Sequence, residues 1–434
     1  MSAPAIGAFG VIILFAFLFL RVPVWVVLMV VGFLGSYVMS GPQAALAIAG
    51  TTPFDMASAY NLSVIPLFVL MGEVASGTRL SAELFSAARI MLSGVRGGLA
   101  VATLSASACF GAVCGSSVAT AATMTRIALP ELRKAGYDDE LSTGSLAAGG
   151  SLGILIPPSI ILVIYAAIAE QSVPRLFAAA LIPGLLLTGL YILVAMTVAR
   201  LRPQSAPASE KVSARERWAA LRQPWQFLLL FVGTIGGIYA GVFSPTEAAA
   251  VGAFGAIVLG IIGRRVDLAT IGRAIENSVV VSCVLFAIII GASLFSFFIV
   301  QTQLPSMLAG WADALDLPGT ALLLIIILAY IVMGCFLEGI GMILITVPVF
   351  LPLVVGYGYD PVWFAIIVVI VVEVGLIHPP VGMNLFVIQA QAGDVDIKAI
   401  YRGILPFLIA PLVLIVLLML FPGLALWLPA QLYG

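Results

Sequence analysis

Two stretches of the sequence place helix breakers beside oxygen donors inside long apolar runs. The first, GGSLGILIPPS, covers Gly149–Ser159, and the second, GLIHPPVGMN, covers Gly375–Asn384. Glycine lets a ligand approach the backbone closely, and proline removes the donor that would re-form the helix. Carbonyls freed in this way, with the negative end of a half-helix, can hold a cation. The positive N-terminal end of the next half can face an anion. Two small polar tips accompany the breaks, CGSSVAT (Cys114–Thr120) and CFLEGIGM (Cys335–Met342). Ser116, Ser117, Thr120 and Thr123, with the Gly153–Pro158 backbone, offer a set of hard neutral oxygens at the first break. Gly339 and Gly341, with the Gly375–Pro380 backbone, offer a set at the second.

The runs that carry these breaks belong to a membrane protein. Of 434 residues, 62% are hydrophobic and only 9% charged, against roughly 25% charged in a soluble domain. Apolar runs of about 18 or more residues recur along the chain, as helical spans require. The alternating pattern of a transmembrane barrel is absent. The expected fold class is an all-α polytopic membrane protein. A net charge of −1 points to no nucleic-acid partner. Cys109, Cys114, Cys283 and Cys335 match no metal-ligand spacing and read as small core residues. The first apolar run lacks a basic leader and does not read as a cleaved signal peptide.

Lysine and arginine orient the spans, because cytoplasmic loops carry the positive excess. Spans are expected at 3–20 and 22–40, joined at Arg21, and at 62–77. The two-armed run 97–132 turns at its polar tip and is closed by Arg133 and Lys134, so it reads as a re-entrant hairpin from the cytoplasmic side. Spans follow at 142–169, 176–199, 225–242, 246–263 and 279–300. The loop from Arg200 to Arg222 carries six basic residues and is assigned to the cytoplasm, whereas 301–318 has none and is assigned outside. A second hairpin, 319–356, and spans at 362–391 and 400–428 complete the chain.

The two halves repeat. A shift of 222 residues carries Gly97 onto Gly319, Pro130 onto Pro352, Gly136-Tyr137-Asp138 onto Gly358-Tyr359-Asp360, and Pro157-Pro158 onto Pro379-Pro380. Five spans separate the hairpins, an odd number, so the second copy is expected upside down. Inverted repeats with interrupted helices are the signature of secondary transporters, whose sites lie where the breaks meet. Non-helical backbone at membrane depth is tolerated only where protein buries it or it lines a cavity. Sodium is the expected coupling ion, since a proton-coupled carrier would show a buried carboxylate in both repeats. Close helix packing also uses Gly, Ser and Thr, so any one of these residues alone reads equally as packing.

Ionisable residues within spans cost about 2.5–3.5 kcal/mol on insertion scales. Glu338, at the second tip, and Glu373, before the second break, could bind a proton or cation, or pair with a local donor. Glu73, Arg126 and Glu247 lie near span ends and read as reaching for the interface. His378 could touch a carboxylate or satisfy local backbone. Asn384 reads as a substrate contact, while its counterpart in the first repeat is Leu162. Ser116 and Ser117 have no histidine or lysine at a plausible spacing, and no phosphate-binding loop is present, so the chain is not expected to be an enzyme and the energy must come from ion gradients. A charge crossing 100 mV releases about 2.3 kcal/mol.

At GAVCGSSVATAATM (Gly111–Met124), GSLGILIPPSIILVIYA (Gly150–Ala166), GCFLEGIGMILITVP (Gly334–Pro348) and GLIHPPVGMNLFVIQA (Gly375–Ala390), the sequence resembles the large membrane subunit of tripartite ATP-independent periplasmic (TRAP) transporters, DctM/SiaM type. The resemblance covers essentially the whole chain. It implies sodium-coupled import of an organic acid anion (a dicarboxylate, sugar acid or keto acid) across a bacterial or archaeal inner membrane. It implies an elevator mechanism, a periplasmic binding protein that delivers substrate, and a separate small four-helix membrane subunit of the DctQ/SiaQ type. No cofactor beyond sodium is implied. One sodium site would involve Ser116, Ser117 and the Gly153, Ile156 and Pro158 backbone, with Thr120 beside it. The other would involve Gly339, Gly341, the Gly375, His378 and Pro380 backbone, and Met383. Substrate contacts are expected at Ser117, Thr120, Gly150, Ser151, Glu338, Gly382 and Asn384. Residues 1–96 and 225–318 would form the scaffold, 97–199 and 319–428 the transport elements, and 200–224 a cytoplasmic loop. A stand-alone sodium-coupled dicarboxylate carrier, needing no binding protein, is the alternative.

Overall fold

The computed structural model describes residues 2–207, 212–335 and 337–434, and the described secondary structure is helical throughout. Helix α1 (Ala3–Phe19) leads into α2 (Val24–Ser58). The latter leaves helical geometry at Gly41, whose φ of 83° glycine tolerates, and resumes at Pro42. The 22–40 span therefore ends where expected, but Pro42–Ser58 is a helix that apolar patterning missed. Then come α3 (Val64–Gly77), α4 (Leu80–Met91), and the paired arms α5 (Gly98–Cys114) and α6 (Ser117–Lys134). Helices α7 (Asp139–Leu155) and α8 (Ile160–Ile168) form one span broken by a 42° bend. Next are α9 (Val173–Leu201) and α10 (Ala214–Leu221). The polar 200–224 segment is thus not all loop, because Ser213 and Glu216 close a capping box that starts α10. Its residues 208–211 lie outside the described set.

Helix α11 (Trp225–Phe231) continues through a π-helical turn into α12 (Gly237–Tyr239). It is followed by α13 (Pro245–Ile262), the long α14 (Leu268–Gln301), α15 (Leu304–Ala314), and the second pair of arms, α16 (Gly319–Gly334) and α17 (Gly339–Gly356). The second tip includes Phe336, also outside the described set. The second broken span comprises α18 (Pro361–Ile377) and α19 (Met383–Ala392). The expected span 400–428 is Ile397–Leu420, one candidate span made of α20 (Ile397–Ile404) and α21 (Ile409–Leu420), followed by a separate α22 (Gly423–Tyr433). Pro422 ends the run by denying α21 its next donor. Among the described residues, seven helical segments are long and apolar enough to cross a membrane, or eight with the bent pair.

The repeat is visible in the helix boundaries. The shift of 222 carries Ser117–Lys134 onto Gly339–Gly356 and Asp139–Leu155 onto Pro361–Ile377, end for end. Asp138 and Asp360 cap the two spans alike, accepting backbone N–H bonds from Leu141 and from Val362 and Trp363. Gly136 and Gly358 have φ of 77° and 82°, and both Pro-Pro bonds are cis. The copies run in opposite directions. Arg133, at the end of α6, pairs with Asp394 beyond α19 at 3.0 Å, while the Tyr165 hydroxyl on α8 donates to the Pro361 carbonyl at the start of α18 at 2.9 Å. The start of one broken span therefore lies beside the end of the other.

Helices α2 and α14 pack closely because small residues face the contact: a side chain at Gly32 would meet the Phe295 backbone nitrogen at 2.6 Å. Helix α18 is apolar all round, which places it in the interior, and it is buried from Val362 to Ile377. One end of the bundle is laced by charge. Arg133 also holds Asp139 at 2.9 Å, Glu140 meets Arg202 at 3.2 Å, and Arg89 meets Glu131 at 2.9 Å. The Arg133 hydrogen bond keeps the exposed Asp394 carboxyl below its ordinary range.

Candidate functional site

The first tip is a two-residue turn at Gly115 and Ser116. Gly115 has a φ of 66°, and Ser116 caps α6 by accepting from the Ala119 N–H. Three contacts lock this tip onto the first break. A side chain at Gly111 would meet the Gly153 Cα at 2.5 Å. One at Gly153 would meet Thr120 Oγ1 at 2.9 Å and the Ser116 carbonyl oxygen at 3.1 Å. One at Gly115 would meet the Pro158 carbonyl oxygen at 3.1 Å. Only glycine permits these approaches. Pro157 and Pro158 have no N–H, so the bonds that the Gly153 and Ile154 carbonyls would receive along the helix cannot form. The result is a cluster of neutral oxygens in a fully buried break, drawn from Ser116, Thr120, Gly153, Ile154 and Pro158.

Other first-repeat candidates have packing roles. Gly150 lies against Ala121, the Ser151 hydroxyl bonds to the Ala148 carbonyl and the Tyr191 hydroxyl, and Ile156 fills the space over Gly184. Neither Gly150 nor Ser151 lines the cavity described below.

The second break is assembled differently. Gly334 and Gly375 cross closely, with a side chain at Gly334 meeting the Gly375 Cα at 2.6 Å. Gly341, however, faces Val24 on α2, and Gly339 faces Val372, so these tip glycines do not gather around the Gly375–Pro380 backbone. His378 Nδ1 lies 3.8 Å from Cys335 Sγ, and the Pro380 carbonyl accepts from the Tyr401 hydroxyl. Gly382, with φ of 52°, turns the chain into α19. Glu373 is fully buried beside the Leu155 backbone and Tyr191, and neither carboxylate oxygen closes a well-formed hydrogen bond.

Between the two tips lies a cavity of about 410 Å³, within the range of small-ligand sites. Ser116, Ser117, Glu338, Gly339 and Met383 line one side of it, and Val69 and Glu73 of α3 with Val280–Ile288 of α14 line the other. Glu73 is therefore not simply reaching for the interface: it forms part of this wall and accepts from Asn277 Nδ2 at 3.2 Å. A charge near the end of an apolar run is its only sequence signal. One link crosses between the repeats: Asn384 Nδ2 donates to Ser117 Oγ at 2.6 Å, with both residues buried. Asn384 thus sits behind the cavity wall and not on it. Among the described residues, no three His, Cys, Asp or Glu side chains are grouped to hold a metal ion; the oxygens gathered at the first break are hard and neutral, a set that suits alkali cations.

Residues 11–424 match the family described as "Tripartite ATP-independent periplasmic transporter, DctM component". The chain is 37% identical over 377 residues to the C4-dicarboxylate TRAP transporter large permease protein DctM of Pseudomonas aeruginosa, covering 87% of this chain and 88% of that one. It is 30% identical over 376 residues to the sialic acid TRAP transporter large permease protein SiaM of Vibrio cholerae, covering 86% and 87%. Among solved structures it resembles the YdaH transporter of Alcanivorax borkumensis, with a TM-score of 0.64 at 18% identity over 89% and 90% of the two chains. The last likeness concerns the fold alone. Twin broken helices around one cavity and the whole-length match agree: the chain belongs to the DctM component of the tripartite ATP-independent periplasmic transporters, as a large permease and not an enzyme.

Proposed function

We propose that this chain imports an organic acid anion across the inner membrane by sodium symport, with a C4-dicarboxylate as the first candidate and a sugar acid such as sialic acid as the second. The observation that carries the reading is the oxygen cluster at the first break, sealed by glycine contacts beside a cavity large enough for such an anion. Sodium would bind at Ser116, Ser117, Thr120 and the Gly153–Pro158 backbone, and a second ion near Gly375–Pro380 and Met383. The charged end of the bundle faces the cytoplasm in this reading, in keeping with the positive-inside rule. Helices α5–α9 and α16–α22 would slide as a transport domain against α1–α3 and α13–α14. A periplasmic binding protein would deliver the anion, and a small four-helix subunit would widen the scaffold.

The test is uptake of a labelled C4-dicarboxylate into proteoliposomes holding this chain with its small subunit. Uptake should require both an inward sodium gradient and the binding protein. Uptake that saturates without the binding protein would instead mark a stand-alone carrier. Uptake that is indifferent to sodium would remove the symport reading.

A further inference from the structure

We propose that the side-chain oxygen of Asn384 is a ligand of the cation held at the first break, so that a residue of the second repeat completes the cation site of the first. The inference rests on the sodium-symport reading above and deepens it.

Asn384 sits in the first turn of α19, just beyond the second break, and has no exposed surface. Its amide nitrogen is used, because it donates to Ser117 Oγ across 267 positions of sequence. Its oxygen has no hydrogen-bond partner among the described residues. A buried acceptor without a donor is costly, and buried polar groups otherwise find partners. A dehydrated cation supplies what no local N–H does.

The surroundings fit that occupant. Ser117 Oγ accepts from Asn384 and keeps a lone pair for a cation, and it opens the helix whose preceding turn carries the Ser116 carbonyl. Thr120 Oγ1 and the Ser116 carbonyl press on Gly153, and the Pro158 carbonyl presses on Gly115. The carbonyls of Gly153 and Ile154 face prolines that cannot satisfy them along the helix. Every donor in this set is a neutral oxygen, which suits an alkali cation better than a transition metal. The arrangement is not mirrored: the first-repeat counterpart of Asn384 is Leu162, which is fully buried and apolar. At the position matching Asn384, the first repeat therefore has no side-chain oxygen to offer the second site.

This assigns Asn384 to the cation and not to the substrate. It also gives occupancy of the first site a direct hold on the second break, since the same side chain touches the Ser117 tip and begins α19. Losing the ion would free one end of that bridge.

The experiment uses the full chain with its small subunit in nanodiscs, titrated with sodium chloride against choline chloride at constant ionic strength and followed by thermal unfolding. Wild type should be stabilised by sodium. Asn384→Ala should weaken apparent sodium affinity at least about tenfold, the scale of a lost metal-supporting contact. Asn384→Asp, which keeps the oxygen and loses the N–H, should bind sodium at least as tightly as wild type, and it decides the matter if the alanine variant does not fold. Unchanged sodium affinity in Asn384→Ala, or equal weakening in both variants, overturns the proposal. Unchanged sodium affinity with weaker substrate binding would return Asn384 to the substrate. Absence of any sodium effect in wild type would instead defeat the symport reading itself.

Discussion

The crossing of α5 and α7 at Gly111 and Gly153 offers the sharpest mechanical test. A Cβ at position 111 would sit 2.5 Å from the Gly153 Cα, whereas carbon atoms rest about 3.5–4.0 Å apart. The obstruction is backbone, so no rotamer relieves it, and the helices must part by about 1 Å. Overpacking of this kind costs about 1–3 kcal/mol. Gly111 lies one turn before the tip, so the parting carries Ser116 and Thr120 away from the break almost undiminished. Hard-cation contacts hold their length to within a few tenths of an ångström, so Gly111→Ala should weaken apparent sodium affinity by about tenfold or more, the equivalent of 1.4 kcal/mol. Sodium-dependent uptake in proteoliposomes and thermal unfolding with and without sodium read the two effects separately. Gly189→Ala is the control: nothing lies within 4 Å of its added carbon, and removing glycine from a helix interior gains about 0.5–1 kcal/mol. If Gly111→Ala proves as harmless as Gly189→Ala, the tip is not held by this crossing and the argument fails.

Further outcomes follow from other contacts. Thr346→Val strips the buried Tyr330 hydroxyl of its partner and should lower stability by about 1–3 kcal/mol in chemical or thermal unfolding, with sodium dependence of uptake unchanged. A loss of sodium dependence would show that α17 takes part in coupling. Asp394→Asn tests the charged end. Arg133 depresses the folded-state pKa of Asp394, so its contribution is present above its ordinary unfolded value near 3.9 and is lost as pH falls further, through the folded value. The variant should therefore be slightly less stable than wild type at neutral pH and converge with it as pH falls below about 4, which flattens the acid limb of a stability–pH profile. A profile that superimposes on wild type would discount the ion pair.

Much of the positioning machinery is legible in the residue pattern, because glycine and proline act locally. The shift that aligns Pro157-Pro158 with Pro379-Pro380 also carries α6 onto α17 and α7 onto α18, end for end. What escaped reading has identifiable causes. Pro42–Ser58 was hidden because a proline that ends one helix can begin the next. Helices α10 and α15 lie in segments judged by charge alone. Ser151 had the composition of a ligand, but its hydroxyl is spent on Ala148 and Tyr191. The Asn384–Ser117 bridge depends on tertiary packing between elements 267 positions apart, and no local rule encodes it. The second site is the weaker reading for the same reason: Gly341 matched in spacing, yet it is occupied in packing against Val24.

Helix α4 is moored at both ends, and the moorings are unequal. Glu83 is gripped by Arg265, which also bonds Gln226, in a pair whose side chains are only 19% and 23% exposed. Arg89 reaches Glu131 on the first hairpin through a pair 48% and 33% exposed, where water competes for both charges. Under load the outer tether yields first. If the first hairpin slides against the scaffold as proposed, a ribbon lashed tightly on one side and loosely on the other would pay out slack, limiting how far the stroke runs without adding much to the barrier of starting it.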